Sequence, residues 1–230
     1  MDSYRSALIV GAGDGLSASL ARLFAAEGIK VGLAARNIAK LRDLAGGIGA
    51  VTAACDASEP AQVAALFATI EDALGGGPDI VVYNASARAR GPLVELDPAA
   101  VEQALRVSAY GGFLVAQQAA RRMLPRGKGA ILFTGASASV KGYKHSAPFA
   151  MGKFARRGLA QSLARELAPQ GIHVAHFVID GAIRAAGRPE PSRDAHLAPE
   201  AIAHTYLDVL RQDRSAWTWE VELRPWVETF

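Results

Sequence analysis

Short apolar runs alternate along this chain with helix-length amphipathic stretches. Residues 7–10, 31–35, 50–55, 80–83, 130–133 and 173–179 read as strands. Between them, 17–27, 38–44, 60–74, 98–124 and 148–167 carry helical patterns, the fourth broken near Gly111-Gly112. Strands that are apolar throughout, rather than at every second position, are buried on both faces, and helical crossovers between them require a parallel sheet. The expectation is a doubly wound α/β fold with a mostly parallel, seven-stranded sheet. After Gly181 the pattern weakens. Residues 184–199, with Gly187, Pro189, Pro191 and Pro199, read as a loop near the site, followed by a helix over 199–211 and a strand over 219–223. Gly75-Gly76-Gly77-Pro78 is a turn before a strand rather than a boundary, so one domain over 1–230 is expected, with halves at about 5–90 and 91–230.

Half of the 230 residues are hydrophobic, enough for a sizeable core. No apolar run reaches the ~18 residues of a membrane span. Met1-Asp2-Ser3-Tyr4-Arg5 leads into a strand without a basic segment and long apolar stretch, so no signal peptide is expected and a cytoplasmic location is the default. Cys55 is the single cysteine, which excludes an intrachain disulfide; at the end of an apolar strand it reads as buried filler rather than a reactive thiol. The net charge of +3 raises the question of a polyanion partner. The basic residues are dispersed, however, and their densest cluster, Arg121, Arg122, Arg126 and Lys128, ends a helix, where cations complement the dipole. Neither nucleic acid nor membrane is expected as a partner, and no metal ion.

Two features bring in chemistry. Val10-Gly11-Ala12-Gly13-Asp14-Gly15-Leu16-Ser17 joins the first strand to the first helix. Gly11, Gly13 and Gly15 let the backbone around Asp14 and Leu16 approach a pyrophosphate at a helix N-terminus. The competing reading is a tight turn with no ligand. At the end of the second strand, Ala34-Ala35-Arg36-Asn37 offers no acid for a ribose 2′-hydroxyl. Arg36 can instead fork onto a 2′-phosphate, unless it is a solvated arginine at a helix start. NADP is therefore the expected cofactor, with NAD left open.

Taken jointly and in order, these motifs resemble the short-chain dehydrogenase/reductase family over residues 5–184. Gly11 and Gly15 match its Thr-Gly-x-x-x-Gly-x-Gly turn; Val10 and Ser17 depart from it. Asp56, followed by Ala57, matches the aspartate that meets adenine, with Ser58 the better candidate to cap the next helix. Asn84-Ala85 falls within Tyr83-Asn84-Ala85-Ser86, where relatives have Asn-Asn-Ala-Gly, and Gly181 and Ile183 match the segment beside the nicotinamide. The family's catalytic residues are Asn, Ser, Tyr and Lys. Here they fall on Ser108, on Ala136 or Ser137, on Phe149 and on Lys153. A benzene ring cannot exchange a proton, so Tyr143, His145 and Ser137 become the local candidates for a substitute donor. The resemblance implies a Rossmann-like domain and a branch with phenylalanine at the tyrosine position. It further implies an NADP(H)-dependent oxidoreductase of a small carbonyl or alcohol, or alternatively a silent dinucleotide-binding sensor or scaffold. Relatives pair through the two long helices, here 98–124 and 148–167, so a homodimer or homotetramer is expected.

Overall fold

Seven strands build one continuous sheet. They are β1 (Ser6–Val10), β2 (Lys30–Ala35), β3 (Val51–Ala54), β4 (Ile80–Tyr83), β5 (Gly129–Thr134), β6 (Ile172–Ile179) and β7 (Glu220–Leu223). Their order is β3-β2-β1-β4-β5-β6-β7, and every adjacent pair is parallel. The computed structural model describes residues 4–228; the expected absence of a leader at Met1–Ser3 lies outside the described residues.

The alternation of side chains across each strand explains why the strand sequences are apolar without a break. Ala7, Ile9, Leu33, Leu132 and Phe177 point to one face. There they pack under α1 (Leu16–Ala26), α2 (Arg42–Ile48) and α7 (Pro199–Leu210). Leu8, Val10, Val81, Ile131 and Phe133 point to the other. They meet α3 (Pro60–Leu74), α5 (Gly111–Met123) and α6 (Ala147–Leu167). Phe24 and Phe67, fully buried on opposite faces, each contribute about 1.5–3 kcal/mol of apolar burial. The seventh strand closes the sheet beside β6, and no helix among the described residues is long and apolar enough to cross a membrane.

Two local expectations are corrected, and the expected break near Gly111-Gly112 is located. Residues 38–44 are not one helix: a 3₁₀ turn, Ala39–Leu41, precedes α2. Ser58 does not cap α3; the cap position is Glu59, without a side-chain bond, and Ser58 instead donates its N–H and hydroxyl to Asp56. The long helix of 98–124 breaks before its glycines. It runs as α4 (Pro98–Leu105), a π-type turn over Arg106–Tyr110, then α5. The turn is held from outside, because Tyr83 donates its hydroxyl to the Val107 carbonyl at 2.5 Å. Gly111 serves packing there: a Cβ would collide with the Tyr83 hydroxyl and the Ala57 carbonyl.

The chain leaves β1 toward β2 on one side and reaches β4 on the other, so the crevice of the fold opens at the carboxyl ends of β1 and β4.

Candidate active site

Two hollows meet in that crevice and share Asn84 and Ser86. The first, about 240 Å³, lies between the glycine turn and the ends of β2 and β3. Gly11 lines it at φ +86°, and a Cβ there would run into the Ala85 backbone, so the close approach requires glycine. Nothing lies within 4 Å of where a Cβ would stand on Gly13 or Gly15. No side chain caps α1 at Gly15, which leaves its first N–H groups for an anion. Leu16 turns its side chain into the core and offers backbone alone; Asp14 is exposed and does not line the hollow.

Ser17, which replaces a family glycine, does not obstruct this cradle. It is buried beneath the turn, donates to the Gly11 carbonyl at 3.3 Å and accepts from Asn84 Nδ2 at 2.7 Å. Asn84 also donates its backbone N–H to Val10, so one residue ties β4 to the glycine turn. Arg36, Asp56, Ala57 and Ala85 line the same hollow, joined by Lys40 from the 3₁₀ turn, which the sequence reading missed. Partial burial works to raise the Asp56 carboxyl, but bonds from Ser58 and the charges of Arg36 and Arg106 outweigh it and hold its pKa below the usual range.

The second hollow, about 380 Å³, contains Phe149, Lys153, Ala136, Gly181 and Ile183 in its wall. Lys153 is buried, not a surface lysine on its helix, and Nζ donates to the Thr134 carbonyl at 2.9 Å and the Gly135 carbonyl at 3.4 Å. Burial, then the charges of Arg156 and Arg88, push its pKa well below that of an ordinary lysine. Lys153 Nζ stands 5.5 Å from the centroid of the Phe149 ring, and the Arg88 guanidinium lies over that ring at 4.2 Å.

Two expected catalytic hydroxyls are not in this wall. Ser137 begins a 3₁₀ turn, Ser137–Ser139, and the cavity is lined by Ala136 instead. Ser108 is wholly buried; its hydroxyl accepts from Ala87 N–H at 3.1 Å and so closes the segment after β4. Tyr143 and His145 do not line the cavity either.

A larger hollow of about 620 Å³ lies at the opposite, amino ends of the strands, between Arg5, Lys30 and Asp79. It faces away from the glycine turn, and parallel sheets of this kind bind ligands at the carboxyl ends.

A family model described as short chain dehydrogenase matches residues 5–190. The chain belongs to the short chain dehydrogenase family. It is similar to (+)-borneol dehydrogenase 1 of Salvia officinalis, at 39% identity over 173 residues, which cover 72% of this chain and 65% of the plant protein. The structure resembles that of a short-chain dehydrogenase from Rhodopseudomonas palustris, at 35% identity and a TM-score of 0.84, over 96% of this chain and 99% of the other. It also resembles a metagenomic short-chain oxidoreductase in complex with NADP, at 26% identity and a TM-score of 0.85, over 97% of this chain and 98% of that one.

Within this short-chain dehydrogenase, the residue that sequence reasoning missed most completely is Arg156. It lies one turn after Lys153 on α6, fully buried. Its guanidinium donates to three carbonyls: Ser108 (Nε, 2.8 Å), Thr134 (Nη1, 2.9 Å) and Ala85 (Nη2, 2.5 Å). Tyr83 lies under it at 4.7 Å. Burial lowers its pKa to about 10. Gly152 makes room for this contact, since a Cβ there would press on Ser108 Cβ. Arg156 therefore occupies the carbonyl of Ser108, the residue expected at the position of the family's asparagine.

Proposed function

We propose that this chain is an NADP(H)-dependent oxidoreductase of a small carbonyl or alcohol, working without the family's tyrosine. The observation that carries the reading is the basic end of β2: Arg36 and Lys40 border a hollow whose glycine turn is open at Gly13 and Gly15. Those two cations suit a 2′-phosphate, and the uncapped start of α1 suits the diphosphate. The NADP in the metagenomic relative supports this choice, and the plant relative, a dehydrogenase of a small alcohol, supports the substrate class.

A bound nicotinamide supplies hydride chemistry. The protein's part is to place the reacting carbon and to provide a proton. Phe149 provides none. Lys153 carries protons beside the same cavity, and its lowered pKa makes the ammonium a stronger acid than a free lysine. Lys153 is thus the donor this site offers in reduction. Ser108, Ser137, Tyr143 and His145 do not line that cavity.

The cofactor reading is tested at Arg36. Arg36→Ala should weaken NADPH by about 1.5–3 kcal/mol, the range for hydrogen bonds to a charged group. NADH affinity should barely move. Calorimetric titration of both dinucleotides measures this, and equal losses for both, or none, refute the assignment.

We also propose that the chain pairs with itself through α5 and α6. Phe113, Met151 and Phe154 on these helices are 42%, 50% and 45% exposed, an apolar set a second copy would cover. Light scattering at micromolar concentration should give a dimer or tetramer; a clean monomer counts against pairing.

A further inference from the structure

The cavity at Phe149 carries positive charge that no carboxylate answers. Lys153 is buried in its wall, and Arg156, which shares the Thr134 carbonyl with Lys153, is buried beside it. Arg88 and Arg188 line it, and Arg90 follows on the same segment as Arg88. Among the described residues, none of these five has an acidic side chain within ion-pair distance. Several arginines elsewhere are paired, Arg157 with Glu220, Arg122 with Glu71, Arg126 with Asp79 and Arg211 with Glu27. Even on the loop that carries Arg188, Arg184 is bound to Glu190. The acid nearest in sequence to the cavity wall, Asp180, holds Lys141 at 3.2 Å and does not line the cavity.

Arg88, Arg90 and Arg188 are exposed and solvated, but their summed field in one concavity favours an anion there. Arg88 feels this directly: burial lowers its pKa first, and Arg90 and Arg188 lower it further. The phosphates of a dinucleotide have their own partners in the neighbouring hollow, at the uncapped start of α1 and at Arg36 and Lys40. The second set of cations is left over. The Phe149 ring supports Arg88 from below by a cation–π contact at 4.2 Å. A supported guanidinium offers a planar fork that matches a carboxylate.

We propose that Arg88 and Arg188 form an anion-binding subsite over Phe149, and that the substrate is a carboxylate-bearing carbonyl compound or alcohol held there by its charge. This rests on the oxidoreductase reading of the same site and names its substrate class.

The test uses two probes with one carbon frame, phenylglyoxylate and its methyl ester, titrated by calorimetry into the protein saturated with NADPH. The acid should bind about tenfold or more tighter than the ester, and Arg88→Met and Arg188→Met should each bring the ratio toward one while NADPH affinity stays within about twofold. Arg188 lies on an exposed loop, so its variant reports even if Arg88→Met fails to fold. Arg193→Met, on that loop but outside the cavity, should keep the preference. Equal binding of acid and ester, no binding of either at millimolar levels, or a preference that survives both variants overturns the subsite. So does a loss of NADPH affinity with the acid–ester ratio unchanged, which would give the cations to the cofactor. The NADPH titration is scored by itself. If NADPH does not bind, the oxidoreductase reading fails, and the acid–ester ratio measured on the free protein still decides the subsite.

Discussion

Arg156→Met should cost the fold about 2–4 kcal/mol, the largest stability loss expected from one substitution around the site. Methionine fills much of the volume of the arginine stem. It donates nothing, however, to the buried Ser108 carbonyl or the part-buried Ala85 carbonyl, and a buried carbonyl left without a donor costs about 1–3 kcal/mol. The Thr134 carbonyl loses less, because Lys153 still reaches it at 2.9 Å. The contact with Tyr83 at 4.7 Å is lost as well. Against this stands one gain: the guanidinium is buried without an anion, as its pKa of about 10 records, and removing it relieves that desolvation. The carbonyl losses outweigh the relief because they lie at the junction of three separate elements, after β4, in the π-type turn and at the end of β5. Arg156→Lys should fall between, since a single ammonium cannot fork across three acceptors. Urea unfolding measures both. A Met variant whose midpoint equals that of the parent would show the buried charge to be a net burden.

How much of this was legible in the sequence depends on whether a residue acts through its neighbours along the chain or across the fold. The unbroken apolar strands predicted a sheet buried on both faces, and the two cores above and below it follow from simple alternation. The glycine turn was legible because strand, turn and helix are contiguous. Arg36 was legible because the end of β2 is a fixed distance along the chain from that turn. Lys40 escaped because residues 38–44 read as one helix, whereas a 3₁₀ turn places Lys40 in the cofactor hollow. Arg156 and Arg157 looked alike in sequence, two adjacent cations on a helix. The fold separates them: Arg157 meets Glu220 at 2.7 Å near the surface, while Arg156 is fully buried against the Ser108, Thr134 and Ala85 carbonyls. Gly111-Gly112 signalled a break, but those glycines serve close packing on Tyr83, and the break lies before them. Ser137 and Ala136 could not be told apart until the turn over Ser137–Ser139 put alanine in the wall. Arg88 and Arg188 are brought together from segments a hundred residues apart, and nothing local marks either one.

Phe149→Tyr should create, or raise by roughly 10²–10⁴, the NADPH-dependent reduction of reactive diketones, the range a positioned general acid contributes. The ring already lies in the cavity wall with Lys153 Nζ at 5.5 Å and Arg88 over its face at 4.2 Å. Two nearby cations stabilise phenolate, so the new phenol should titrate below the usual ~10 of tyrosine. A general acid works while it is protonated. The added rate should therefore be full at low pH and fall as pH rises through the lowered phenol pKa, a limb separate from the one at which the parent loses the Lys153 proton. The gain should stay toward the lower end of the range for two reasons visible in the wall. Ala136 presents no hydroxyl to polarise the carbonyl, and the Ser108 carbonyl, bound by Arg156, is not left to hold a water that could return a proton to the new phenol. NADPH oxidation followed across pH measures both the size and the limb. A Phe149→Tyr protein that folds, binds NADPH and reduces nothing would mean that the site has moved away from the family's chemistry by more than one hydroxyl, and that Arg88 and Arg156 hold it in a different arrangement rather than an incomplete one.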